Sequence, residues 1–368
     1  MINSLIKNND AVFSAYIKLF NNDDNAISDI AQTIIAAAYP LICFIITIIF
    51  ATIMVLLLVY LERRILALFT LRFGPNRVGY EGILQTFADA IKLLLKEDCA
   101  PKTRKKVFFF MAPFIVLCPV VTAFCLLPFN NFYIQSNIEP SIILLMALAS
   151  IPVIGVFLAG FSSNNKYGLI GAARSIIQAV SFEIPIGVSI LAITFMTGSL
   201  NINDIIQSQS SNLGLFGWHF IPQIIGCIVF FISALALLNR TPFDLSEAES
   251  ELVAGYATEY SGIKFALFFF SEYLLLFLIS VLFVCLFFGG YLSPFGTYVL
   301  PESLIFIEQI FWLILKTFFI IFFIFLIRAA LPRLRYDRVL EFSYKILLPL
   351  SLINLNIAVL IQYFMGAK

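Results

Sequence analysis

Histidine is almost missing from this chain of 368 residues: His219 is the only one. The six cysteines, Cys43, Cys99, Cys118, Cys125, Cys227 and Cys285, include no CxxC pair. Zinc, iron–sulfur and haem-attachment sites need tightly spaced thiolates and imidazoles. The expectation is therefore a chain that holds no metal, with cysteines that act as small apolar groups. Phosphate-cradling glycine loops are lacking too, since Gly168 and Gly171 do not complete one. Charge is scarce: charged residues make up 12% of the chain, and the net charge of +1 provides no bulk field for nucleic acid. Any redox chemistry must draw its electrons from a partner.

Apolar residues fill the space left by these absences. They make up 61% of the chain, with a mean hydropathy of +0.98. A soluble domain is about 45–50% apolar and about 25% charged. An excess of this size points to lipid as the solvent, where only helices and closed barrels satisfy their own backbones. Barrel strands alternate over about ten residues, whereas a helix needs about twenty apolar residues to cross the hydrocarbon core. The runs here are of the second kind and predict an all-α polytopic membrane protein. The eight expected spans are residues 40–60, 107–127, 141–161, 176–196, 220–238, 263–287, 304–327 and 346–363. They form one membrane domain, 36–368, behind a polar N-terminal extension, 1–35, that has neither signal-peptide nor transit-peptide character.

Eight spans put both termini on one side of the bilayer. Nineteen of the 23 Lys and Arg residues fall in the loops after spans one, three, five and seven. The positive-inside rule places those loops in the cytoplasm or matrix and both termini outside. Within the first loop, Ile83, Leu84, Phe87, Ile91, Leu94 and Leu95 recur at helical spacing, with Gln85, Asp89, Lys92 and Lys96 opposite. That pattern predicts an amphipathic helix over 82–96, lying along the interface.

The ionisable residues of the apolar part are the candidates for chemistry. The loop after span five carries Asp244, Glu247, Glu249, Glu251 and Glu259. Capping boxes explain some of these acids, but clustered carboxylates also repel, so that one of them protonates readily. Glu183 in span four and Glu272 in span six are expected to face the protein interior, because an ionisable group facing lipid is costly. Lys316 in span seven is expected to pair with an acid on a neighbouring helix. Arg63, Arg64, Arg328, Arg333 and Arg335 are read as headgroup anchors at helix ends.

The segments Leu61-Glu62-Arg63-Arg64, Gly74-Pro75-Asn76-Arg77-Val78-Gly79, Phe87-Ala88-Asp89-Ala90-Ile91-Lys92-Leu93, Ser181-Phe182-Glu183-Ile184-Pro185, Asn239-Arg240-Thr241-Pro242-Phe243-Asp244-Leu245, Glu249-Ser250-Glu251-Leu252, Glu259-Tyr260 and Pro332-Arg333-Leu334-Arg335-Tyr336-Asp337 occur in this order. The ordered set resembles the H subunit of the respiratory NADH–quinone oxidoreductase (complex I), the family of mitochondrial NADH dehydrogenase subunit 1.

The resemblance implies an eight-helix subunit that joins a peripheral redox arm to a proton-pumping membrane arm. It implies a quinone cavity shared with peripheral-arm partners, with Arg63, Asp89, Ala90, Arg174 and Arg240 at or near it. It implies an acidic proton path through Glu62, Glu183, Asp244, Glu247, Glu249, Glu251, Glu259 and Glu272. Quinone is then the substrate, entering from lipid between the amphipathic helix and spans one and six. NADH, FMN and iron–sulfur clusters belong to partner subunits, and small membrane subunits are further partners. The implied location is the bacterial inner membrane, with the mitochondrial inner membrane as the alternative. Leu237 stands where some family members carry Glu. The rival readings are a membrane subunit of an energy-converting hydrogenase or formate hydrogenlyase-type complex, and a standalone proton-coupled transporter.

Overall fold

The computed structural model describes residues 26–129, 139–210, 214–246, 252–296 and 304–366. The regular structure among these residues is helical, with no strand. The elements are α1 (Ala26–Phe69), α2 (Gln85–Leu95), α3 (Lys106–Phe124), α4 (Ser141–Ser162), α5 (Lys166–Thr197), α6 (Ile202–Ser208), α7 (Ile224–Leu237), α8 (Gly262–Phe287), α9 (Ile305–Ala330) and α10 (Tyr336–Phe342). A π-helical turn, Ser343–Leu347, joins α10 to α11 (Leu348–Gly366). Seven helices of the described residues are long and apolar enough to cross a membrane.

The remaining expected span, 220–238, is shorter than its apolar run. Only Ile224–Leu237, 14 residues, is helical, or roughly 21 Å at 1.5 Å per residue. The residues ahead of it fold against another helix: the Phe220 amide donates to the Phe287 carbonyl at the end of α8 (3.0 Å). The helix therefore starts late within its apolar run, and at this length it is not among the seven candidate spans.

Helix α8 is the hub. Of its apolar stretch 72% is buried, against 33% for α9 and 22% for the last span. It packs on α3, α9, α1 and α2, while α5 gathers α4, α7 and α11. Small residues permit the close approaches, as is usual in membrane bundles. A Cβ on Gly155 of α4 would lie 2.4 Å from Val116 of α3, and one on Gly160 would lie 2.5 Å from Ala172 of α5.

A carbonyl freed by proline finds its donor on another element. Pro185 in α5 has no amide to give the Ser181 carbonyl one turn earlier. The Ser343 hydroxyl, from the π-helical turn, donates to that carbonyl instead (2.6 Å).

Helix α2 lies where its pattern predicted. Ile83, Leu84, Phe87, Ile91 and Leu94 are left uncovered by the chain, while Asp89 reaches back to Arg63 of α1 and Lys92 and Lys96 are exposed. The turn before it closes tightly: a Cβ on Gly82, at φ 77°, would meet the Pro75 carbonyl oxygen at 2.1 Å.

Candidate functional site: a charged chamber at one end of the bundle

The inward stripe of α1 runs Ala51, Met54, Val55, Leu58, Val59 and then Glu62, all buried. Steps of three and four residues keep one helix face, so Glu62 extends an apolar stripe into the core. Its carboxylate needs partners there, and two arginines supply them. Arg240 Nη1 donates to both Glu62 oxygens (2.9 and 3.1 Å), and Arg328, at the end of α9, pairs with the same carboxylate. The Arg240 guanidinium also lies over the Tyr273 ring, 4.7 Å from its centre.

These groups wall a chamber of about 260 Å³ together with Asp244, Tyr256 and Glu272. Asp244 accepts from Arg333 Nη2 (3.1 Å). Arg328 and Arg333 thus do more than anchor helix ends at headgroups; they neutralise two chamber acids. The loop carrying Arg240 and Asp244 is pinned from α5, where the Gln178 amide donates to the Ala236 and Phe243 carbonyls (2.7 and 2.8 Å).

Glu272 is set apart from the other chamber acids. It forms no ion pair among the described residues and accepts from the Tyr256 hydroxyl (2.7 Å). Tyr256 comes from a short 3-10 turn, Gly255–Ala257, laid against α5. Beyond the Tyr256–Glu272 pair lies a second cavity of about 50 Å³ between α3, α4, α5 and α8, which shares Leu238, Asn239, Tyr256 and Glu272 with the chamber. Val153 borders both this cavity and a groove of about 320 Å³ between α4 and α5 that holds Glu183.

Glu183 therefore faces a groove rather than the interior. The buried stripe of α5 is Ser175, Gln178, Ala179, Phe182, Ile186 and Ser189, and Glu183 sits beside it with Ile176 and Val180. Its buried Oε1 has no hydrogen-bond partner among the described residues.

The remaining expected residues are scattered. Arg63 pairs with Asp89 of α2 (2.5 Å), and Asp89 also accepts from Gln85 (3.2 Å). Ala90 lies on the same helix, half-buried. Beside this pair, an apolar hollow of about 550 Å³ is lined by Ile53, Leu57, Tyr60 and Leu61 of α1, by Leu84 and Phe87, and by Phe318 of α9. Arg174 does not line the chamber; its guanidinium lies 5.7 Å from the Tyr336 ring centre. Glu259 accepts from Asn165 Nδ2 (2.8 Å) at the start of α5. Glu247, Glu249 and Glu251 lie outside the described residues. Nearby, burial pushes the Tyr260 phenol up to about 12, against a small opposing effect of its hydrogen bond with Ser162.

Lys316 pairs with no acid among the described residues. Its Nζ donates to the carbonyls of Phe288 (2.8 Å), Gly290 (3.0 Å) and Leu292 (2.6 Å) just past the end of α8, and lies 4.2 Å from the Trp218 ring centre. Sequence reading also passed over Tyr256 and Tyr273. The i, i+1 placement of Tyr273 after Glu272 was available as a signal; Tyr256 lies sixteen residues from Glu272 and gave none.

Seven helices long and apolar enough to cross a membrane, with a charged chamber at one end of the bundle, define a polytopic membrane protein of all-helical class. The particular family follows from comparison. The NADH dehydrogenase family profile matches residues 42–359. The H subunit of the NADH-quinone oxidoreductase of Brevibacillus brevis is 44% identical over 309 residues, covering 84% of this chain and 89% of the relative. The H subunits of the same enzyme from Dehalococcoides mccartyi strain CBDB1 (44% identical, 84% and 82% covered) and Salinibacter ruber (42% identical, 84% and 92% covered) are similar in the same way. The chain belongs to the NADH dehydrogenase family, among the H subunits of NADH–quinone oxidoreductases.

Proposed function

We propose that the chain forms part of the quinone cavity of a proton-pumping NADH–quinone oxidoreductase and carries an acidic path that couples quinone reduction to proton movement. The observation that carries the reading is the chamber, where Glu62, Asp244, Glu272, Arg240 and Arg328 share about 260 Å³ at one end of the bundle. A change of charge on a nearby quinone acts directly on these groups, because interactions between charges are strong away from bulk water. The apolar hollow between α1, α2 and α9 suits the isoprenoid tail of a quinone arriving from lipid. This shifts the expected access route: Phe318 belongs to span seven, so spans one and seven flank the hollow, with α2 also resting on span six.

Electrons come from partner subunits that hold FMN and iron–sulfur clusters and oxidise NADH; peripheral-arm and small membrane subunits are the partners. The basic loops put the charged end on the cytoplasmic side and both termini outside, in a bacterial inner membrane. The path runs from the chamber through Glu272 and the small cavity to Glu183. The standalone-transporter reading loses one support, since Lys316 is engaged by backbone carbonyls and by no acid among the described residues.

The test is Glu183→Gln in the intact complex. The variant should assemble normally and lose at least half of its proton translocation or quinone-linked turnover. Native turnover and translocation would remove Glu183 from the path.

A further inference from the structure

Two cavities share a wall that contains one hydrogen-bonded side-chain pair, Tyr256 and Glu272. The chamber (about 260 Å³) and the smaller cavity (about 50 Å³) share four lining residues, two of which are Tyr256 and Glu272. Each cavity is large enough to hold at least one water. Glu272 borders both and has a tyrosine hydroxyl, not a cation, as its partner (2.7 Å).

Tyr256 is held with unusual closeness for a loop residue. It is buried, and its ring meets Phe268 edge-on with centres 5.5 Å apart. Its turn lies against α5 because two glycines face each other: Gly255 takes φ 55°, and a Cβ on Gly171 would lie 2.8 Å from the Gly255 Cα. The hydroxyl is thus delivered to Glu272 by backbone packing between the loop and α5. A carboxyl tied to a rigid neutral donor keeps its position whether or not the surrounding arginines rearrange.

We propose that Tyr256 is a positioning residue that holds the Glu272 carboxyl at the boundary between the two cavities, so that protons pass from the chamber to the inner cavity only through Glu272. This rests on the acidic-path reading above. Loss of the hydroxyl frees the carboxyl to turn back towards the chamber arginines, and transfer to the inner cavity fails while quinone binding is spared.

The experiment uses the intact complex reconstituted into proteoliposomes and reads NADH oxidation, protons translocated per NADH, and the quinone KM. Tyr256→Phe should assemble and lower the proton-to-NADH ratio at least twofold, with the loss in kcat and not in KM. Tyr256→His restores a donor on an aromatic ring and should recover at least half of the loss. A purely packing role predicts the reverse order, with Phe better than His, and that order overturns the proposal, as does failure of Tyr256→Phe to assemble. Glu272→Gln separates the two levels. A lowered ratio in Glu272→Gln beside an unchanged ratio in Tyr256→Phe overturns the role of Tyr256 alone. Unchanged ratios in both overturn the acidic path with it.

Discussion

The two ends of α8 handle buried polarity in opposite ways. Near its first half, acids meet arginines side chain to side chain around an open chamber. At its last turn, the groups needing partners are carbonyls, and every one of the final four is taken. Phe288 and Gly290 amides donate to Val284, Gln209 Nε2 to Cys285, and the Phe220 amide to Phe287. His219 Nδ1 lies 3.3 Å from the Leu286 carbonyl. Lys316 then gathers the three carbonyls beyond, placing a cation where the helix dipole favours one. Side-chain ion pairs can exchange partners without moving the fold. Backbone carbonyls cannot, so the chamber end is built for rearrangement and the far end for fixity.

The strongest way to break this contrast is Glu62→Ala. It leaves Arg240 and Arg328 facing each other with no carboxylate between them. Removing one partner of a buried ion pair costs about 3–5 kcal/mol. Assembled complex on a native gel, or NADH–quinone turnover of what assembles, should fall at least tenfold. Retention of both would mean that the two guanidiniums find other anions, and the chamber would be far more plastic than its geometry suggests.

Lys316→Met tests the other end. It removes the donor from three carbonyls, and an unsatisfied buried group costs about 1–3 kcal/mol; partial relaxation of the loop leaves a net loss of about 3 kcal/mol. The solubilised complex should melt several degrees lower, while turnover per assembled complex stays near native. A variant that melts normally but loses proton translocation would erase the contrast, because the far end would then take part in the chemistry.

These assignments also show what a sequence can reveal. Glu62 was legible only through the family resemblance, because residues 40–60 are almost uniformly apolar and do not mark which face of α1 turns inward; burial of the stripe from Ala51 to Val59 shows that face. The amphipathic pattern of α2 was legible directly. The partners of those residues were not legible. Arg328 and Arg333 look like any arginines at a helix end, and only the long-range fold brings them to Glu62 and Asp244, which lie far away in sequence. Lys316 misled for a related reason: a buried lysine invites a search for an acid, but carbonyls at a helix terminus satisfy an ammonium as well and leave no mark in composition. Tyr256 depends on a contact between Gly171 and Gly255 that neither local pattern announces.

The smallest effect concerns His219, and it vanishes at neutral pH. The side chain is buried, and burial lowers its pKa to about 4, with the Leu286 carbonyl opposing slightly. The folded form therefore keeps the ring neutral where an unfolded chain, with a histidine pKa of about 6.5, takes up a proton. Stability from this residue is fully present above about pH 6.5 and is lost as pH falls towards about 4, by at most about 1.4 kcal/mol per unit. His219→Gln keeps a donor near the Leu286 carbonyl but does not titrate. Melting curves of the solubilised complex should coincide for native and variant at pH 7.5 and separate below pH 6, with the variant the more stable. Curves that fall in parallel would assign the acid sensitivity to the chamber carboxylates instead, and the far end of α8 would then be indifferent to pH as well as fixed in geometry.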